Sequence, residues 1–86
     1  MITTYIVSAA RTPIGKFGGA LKDVSPVELG AHVMKAAVER SGVDPATIGQ
    51  AVGGCVTQAG MQASNVTRTS WLQGGLPWQV AASTID

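Results

Sequence analysis

From Pro26 to Ser41 the chain reads PVELGAHVMKAAVERS, with Glu28, His32, Lys35 and Glu39 at spacings of four, three and four residues. That spacing puts these side chains on one stripe of a helix, while Val27, Leu29, Ala31, Val33, Met34, Ala36, Ala37 and Val38 cover most of the remaining circumference. The pattern predicts a helix buried on most sides. Its ends are marked as well. Ser25-Pro26-Val27-Glu28 supplies a capping serine, a proline at the first helical position and a glutamate three residues after the cap, so that two otherwise orphan backbone donors are satisfied reciprocally. Ser41-Gly42 supplies the stop, because glycine takes the left-handed conformation at little cost.

On either side of this helix the apolar runs are shorter. Thr3 to Ala9 (TTYIVSA) is rich in β-branched and aromatic residues and reads as a strand entering a long, glycine-containing loop, Ala10 to Asp23. Asp44-Pro45-Ala46-Thr47-Ile48 repeats the cap-then-proline signal and predicts a single helical turn. Ala51 to Thr57 (AVGGCVT) lacks polar alternation and reads as a strand covered on both faces, with Gly53 and Gly54 marking a close approach by a neighbour. After the loop Gln58 to Ser64, Asn65 caps a further helix to about Gln73, stopped by Gly74-Gly75 and Pro77. Val80 to Ile85 reads as another buried strand. Strand, loop, helix, strand, helix, strand is the alternation of an α/β layer with parallel strands and right-handed crossovers. Three such strands need helices on both faces and further strands beside them. The chain, residues 1–86, therefore reads as the N-terminal part of something larger, without an internal repeat or domain boundary.

Composition supports that reading. Only 13% of the 86 residues are charged, against about 25% in an ordinary soluble domain, while 45% are apolar. Surface that is short of charge is surface that another part of a protein covers. One cysteine excludes an internal disulfide framework, and one cysteine with one histidine cannot complete a four-ligand zinc site. The six cations, Arg11, Lys16, Lys22, Lys35, Arg40 and Arg68, are scattered singly, so no basic track for nucleic acid exists. No apolar run approaches the roughly 18 residues needed to span a bilayer, and no basic-then-apolar leader opens the chain. The expectation is a cytoplasmic protein with neither nucleic-acid nor membrane partners.

The single residues yield no catalytic constellation. Cys55 falls within an apolar strand with no cationic neighbour, which suits an inert core thiol better than a nucleophile. His32 shares the polar stripe of the long helix and reads as a solvated surface residue. Glu28 and Glu39 are too far apart along that helix to work as an acid–base pair. Gly15-Lys16-Phe17-Gly18-Gly19 lacks the spacing of a phosphate-binding loop. Trp71 and Trp78 flank the Gly74-Gly75-Leu76-Pro77 turn, as core or interface packing. Arg68, one turn into the later helix on an apolar background, is the charge with the best claim to a purpose. No catalytic, cofactor-binding or metal site is assigned within the chain.

Four segments, in order and at matching spacing, carry a resemblance. They are Ala10-Arg11-Thr12-Pro13-Ile14-Gly15-Lys16-Phe17-Gly18-Gly19, the glycine strand around Gly53-Gly54, the helix start Asn65-Val66-Thr67-Arg68, and Gly75-Leu76-Pro77 leading to Ala82-Ser83-Thr84-Ile85-Asp86. Over essentially the whole chain the sequence resembles the N-terminal end of thiolases, the acetyl-CoA acyltransferases. The stretch from Gly54 to Pro77 is most similar to degradative thiolases of actinobacterial type, some of which act on sterol side chains.

The resemblance implies a five-layer αβαβα fold of two similar halves, of which this chain would supply three strands and two main helices of the first half. It implies CoA-dependent acyl transfer, either thiolytic cleavage of a 3-ketoacyl-CoA or the reverse condensation, with coenzyme A as substrate and no resident cofactor. The nucleophilic cysteine of the family would follow roughly three residues beyond Asp86; the activating histidine and the second, acid–base cysteine would come later still. Cys55 matches neither cysteine. The implied partners are the remainder of the thiolase chain and further copies in a homodimer or homotetramer, with Asn65, Arg68 and Trp71 as subunit-interface residues. A thiolase-like scaffold that binds acyl-CoA or lipid beside a partner protein, without chemistry of its own, is the alternative.

Overall fold

The computed structural model describes residues 2–86. Two helices, α1 (Pro26–Ser41) and α2 (Val66–Gln73), and two strands, β1 (Gln50–Gly54) and β2 (Ala81–Ile85), make up its regular framework, with single 3-10 turns at Pro45–Thr47 and Gly60–Gln62. α1 begins and ends where its signals lie. Ser25 is extended and its Oγ accepts from the Glu28 N–H at 3.1 Å. Among the described residues the return bond from the Glu28 side chain is not formed, so only half of the capping box closes. At the other end Gly42 takes φ 71° and its N–H donates to Glu39 O. Asp44 caps the Pro45–Thr47 turn by accepting from the Ala46 N–H at 3.0 Å.

β1 and β2 pair in parallel, Gln50 opposite Ala81 through Gly54 opposite Ile85, and the Cys55 N–H extends the ladder to Ile85 O at 2.7 Å. A parallel pair requires a crossover, and α2 provides it. That helix packs against both strands and against α1 through one buried face, which carries Thr67, Ser70 and Trp71. Two glycines make this stacking close. A methyl group at Gly53 would fall on the Thr67 hydroxyl, and one at Gly30 would come within 2.9 Å of Ser70 Cβ. The fully covered residues are accordingly few and partly polar: Ala31, Trp71 and Val80 with Thr67 and Ser70.

Three expectations need correction. Thr3–Ala9 forms no strand; Tyr5 is 77% and Ile6 91% exposed, because β-branched composition only makes a segment fit for pairing, and this one meets no strand partner. Among the described residues the sheet therefore has two strands, not three. Next, β1 is covered on one face alone. Ala51 and Gly53 turn toward α2 whereas Val52 is 58% exposed, and the strand ends at Gly54, leaving Cys55 half-buried just past it. Finally, α1 buries only Ala31 fully; its other apolar positions are half-covered, since α2 contacts a single side. The polar stripe of Glu28, His32, Lys35 and Glu39 does face outward as the spacing requires.

Candidate functional site

The densest polar arrangement in the chain joins the N-terminus of α2 to the last residues of β2. Ser64 and Asn65 precede α2 with left-handed backbones, φ 57° and 61°. Asparagine tolerates this region better than most residues, because its short amide bonds locally. Asn65 Oδ1 accepts from the Arg68 N–H at 3.2 Å, which caps the helix, and from the Thr84 hydroxyl at 2.8 Å. Its Nδ2 donates to Ala82 O at 3.0 Å. Thr84 Oγ1 in turn accepts from the Thr67 N–H at 3.2 Å and lies 2.7 Å from Thr67 Oγ1. A hydroxyl carries one hydrogen, and that of Thr84 goes to the acceptor-only Oδ1, so Thr67 donates to Thr84. The result is a directed relay, Thr67 to Thr84 to Asn65, with every polar atom satisfied and Thr67 only 3% exposed.

A second clamp holds the connection between the two elements. The Arg68 guanidinium donates through Nη1 to Val80 O at 2.7 Å and through Nη2 to Trp78 O at 2.8 Å. Trp71, 3% exposed, donates from Nε1 to Pro77 O at 2.7 Å. The Leu76 N–H closes the turn on Trp71 O. Asn65, Arg68 and Trp71 therefore do come together, and within this chain their polar groups are committed to the α2–β2 junction. Thr67 and Thr84 were not singled out by sequence reasoning. The available signal was Gly53: a strand glycine that marks close approach implies a small partner on the crossing helix, and Thr67 is the residue that meets it.

The remaining candidates stay apart. Cys55 Sγ accepts from Gln62 Nε2 at 3.3 Å and directs its thiol to Thr57 O, with no cation beside it. His32 stands exposed on the polar stripe of α1 and takes no part in the hydrogen bonds of the junction. An open concavity lined by Arg11 and Arg40 with Ala9, Ala10 and Pro13 contains no acid–base pair. Among the described residues no group of three or more His, Cys, Asp or Glu side chains could hold a metal ion. Nor, among those residues, is any helix long and apolar enough to cross a membrane.

A parallel β–α–β unit locked by side-chain bonds at the strand end defines a piece of an α/β fold. That piece is a thiolase one: the family described as "Thiolase, N-terminal domain" matches residues 4–86, and the chain belongs to it. It is 42% identical over 86 residues to the steroid 3-ketoacyl-CoA thiolase FadA6 of Mycobacterium tuberculosis, covering 100% of this chain and 21% of the relative. An acetyl-CoA acetyltransferase of Syntrophomonas wolfei is 46% identical over 81 residues, 94% of this chain and 20% of that one. The crystal structure of the Bacillus anthracis acetyl-CoA acetyltransferase superposes with a TM-score of 0.81 at 43% identity, over 93% of this chain and 20% of that one. The α/β fold expected from the resemblance is thus borne out, and the chain spans about a fifth of the length of the relatives it matches.

Proposed function

We propose that this chain is the N-terminal scaffold of a CoA-dependent acyltransferase of thiolase type. The observation that carries the reading is identity above 40%, over 94% or more of the chain, to proteins named as acetyl-CoA acetyltransferases and as a 3-ketoacyl-CoA thiolase. In this reading residues 1–86 belong to the first half of the αβαβα fold, and a cysteine beyond Asp86 is the nucleophile. A helix N-terminus at such a cysteine would lower its thiol pKa and offer N–H donors to developing negative charge. The thiolate adds to the 3-keto carbon of the substrate and the C2–C3 bond breaks. The departing carbon takes a proton and leaves as acetyl-CoA. The thiol of free CoA then attacks the acyl-enzyme thioester, releasing the shortened acyl-CoA and restoring the thiol.

Coenzyme A is a substrate here and no resident cofactor is required. The similarity to a steroid 3-ketoacyl-CoA thiolase supports a degradative role on fatty-acyl or sterol-derived chains, and the proposed location is the cytoplasm. A homodimer or homotetramer completes the assembly, with the α2–β2 region beside the neighbouring subunit. Asn65, Arg68 and Trp71 then act at that interface by shaping the junction. The test is to incubate the natively isolated protein with acetoacetyl-CoA and free CoA and to quantify acetyl-CoA. Turnover that requires both substrates supports the reading; binding of acyl-CoA without turnover replaces it with the scaffold alternative.

A further inference from the structure

We infer that Thr84, held by Asn65 and Thr67, is a positioning residue for acyl transfer, fixing the direction in which the chain leaves β2; the inference rests on the acyltransferase reading above. In open parallel sheets ligands sit outside the carboxyl ends of the strands. β1 and β2 run in parallel and end side by side at Gly54 and Ile85, so this edge is the one from which a site is built. Ladder bonds alone would hold β2 against β1, yet its last residues carry side-chain bonds as well. Ala82 O is taken by Asn65, and Thr84, the penultimate residue of the strand, is gripped by Asn65 and Thr67 together.

The grip has no slack. Thr67 is buried and faces Gly53 at a distance that admits no Cβ, so its hydroxyl cannot turn away. Asn65 sits in a left-handed backbone beside a second left-handed residue, a conformation that persists where the surroundings over-determine it. Such a junction leaves the end of β2 one position relative to α2. Precision of this kind matters to a transferase, because misplacing reacting groups by about 1 Å costs on the order of 100-fold in rate.

The experiment compares the natively isolated protein with its Thr84→Val, Thr84→Ser and Asn65→Asp variants in the acetoacetyl-CoA thiolysis assay. Thr84→Val keeps the shape but loses the relay. It should lower kcat about 10-fold or more with KM within about two-fold, and Thr84→Ser, which keeps the hydroxyl, should recover most of the loss. A folded Thr84→Val variant with wild-type kcat overturns the inference, as does a loss confined to KM or one that serine does not recover. Should Thr84→Val fail to fold, Asn65→Asp decides. It sets a carboxylate oxygen against Ala82 O where the amide had donated, and that repulsion unseats the acceptor that holds the Thr84 hydroxyl, so a lowered kcat at unchanged KM supports the proposal and an unchanged kcat overturns it. A wild-type protein without thiolysis overturns the acyltransferase reading itself, before any variant is compared.

Discussion

Replacing Gly53 by alanine would place a methyl group on the Thr67 hydroxyl and 3.1 Å from both Thr67 Cβ and Cγ2. Thr67 cannot rotate aside without giving up its 2.7 Å bond to Thr84, so either α2 moves off the sheet or the relay breaks. Forcing a methyl into a close-packed contact costs about 1–3 kcal/mol. A lost buried hydrogen bond adds about 1 kcal/mol. Against these, alanine restricts the unfolded chain and returns about 0.5–1 kcal/mol. The net expectation is destabilisation by about 2 kcal/mol. Urea unfolding of the wild type, Gly53→Ala, Thr67→Ala and the double variant measures it. Thr67→Ala alone loses the relay but opens room for the new methyl, so the double variant should be about 2 kcal/mol more stable than the sum of the single effects implies. Additivity within about 0.5 kcal/mol would show that the two positions do not press on each other, and a neutral Gly53→Ala would refute the close contact outright.

Other substitutions test the remaining joints. Arg68→Lys keeps the charge but loses the planar fork that reaches Val80 O and Trp78 O together; a loss of about 1–2 kcal/mol is expected, read as a lowered thermal midpoint, and an unchanged midpoint would count against the clamp. Gly42→Ala meets no atom within 4 Å, so its cost is conformational alone, about 1 kcal/mol from the left-handed φ of 71°. Gly42→Asn should cost visibly less than Gly42→Ala in the same melt, and equal effects would refute a purely backbone origin.

What could be read from the sequence follows from the range of the forces involved. α1 was legible to the residue because its cap at Ser25, its proline at Pro26 and its stop at Gly42 all act within a single turn of chain. α2 was legible for the same reason, with Asn65 as its cap and Gly74 as its end. Strands depend on partners distant in sequence. The run Ala51–Thr57 was recognised, yet its covered face and its end at Gly54 are set by α2 and β2. Thr3–Ala9 has a strand's composition without a strand's neighbour. The junction was half legible. Asn65, Arg68 and Trp71 stood out by type and position, whereas Thr67 and Thr84 are common residues made special by a 17-residue separation that the fold closes to hydrogen-bonding distance.

The two close glycine contacts also constrain how this segment can change over generations. At Gly53 with Thr67, and at Gly30 with Ser70, the available space is shared between two positions far apart in the chain. Neither member can grow unless the other shrinks. Drift at these sites is therefore expected to come in pairs, a larger residue on the strand or the long helix being tolerated only in lineages where the crossing helix has already become smaller. The volumes at 53 and 67, and those at 30 and 70, should then be inversely correlated among thiolases.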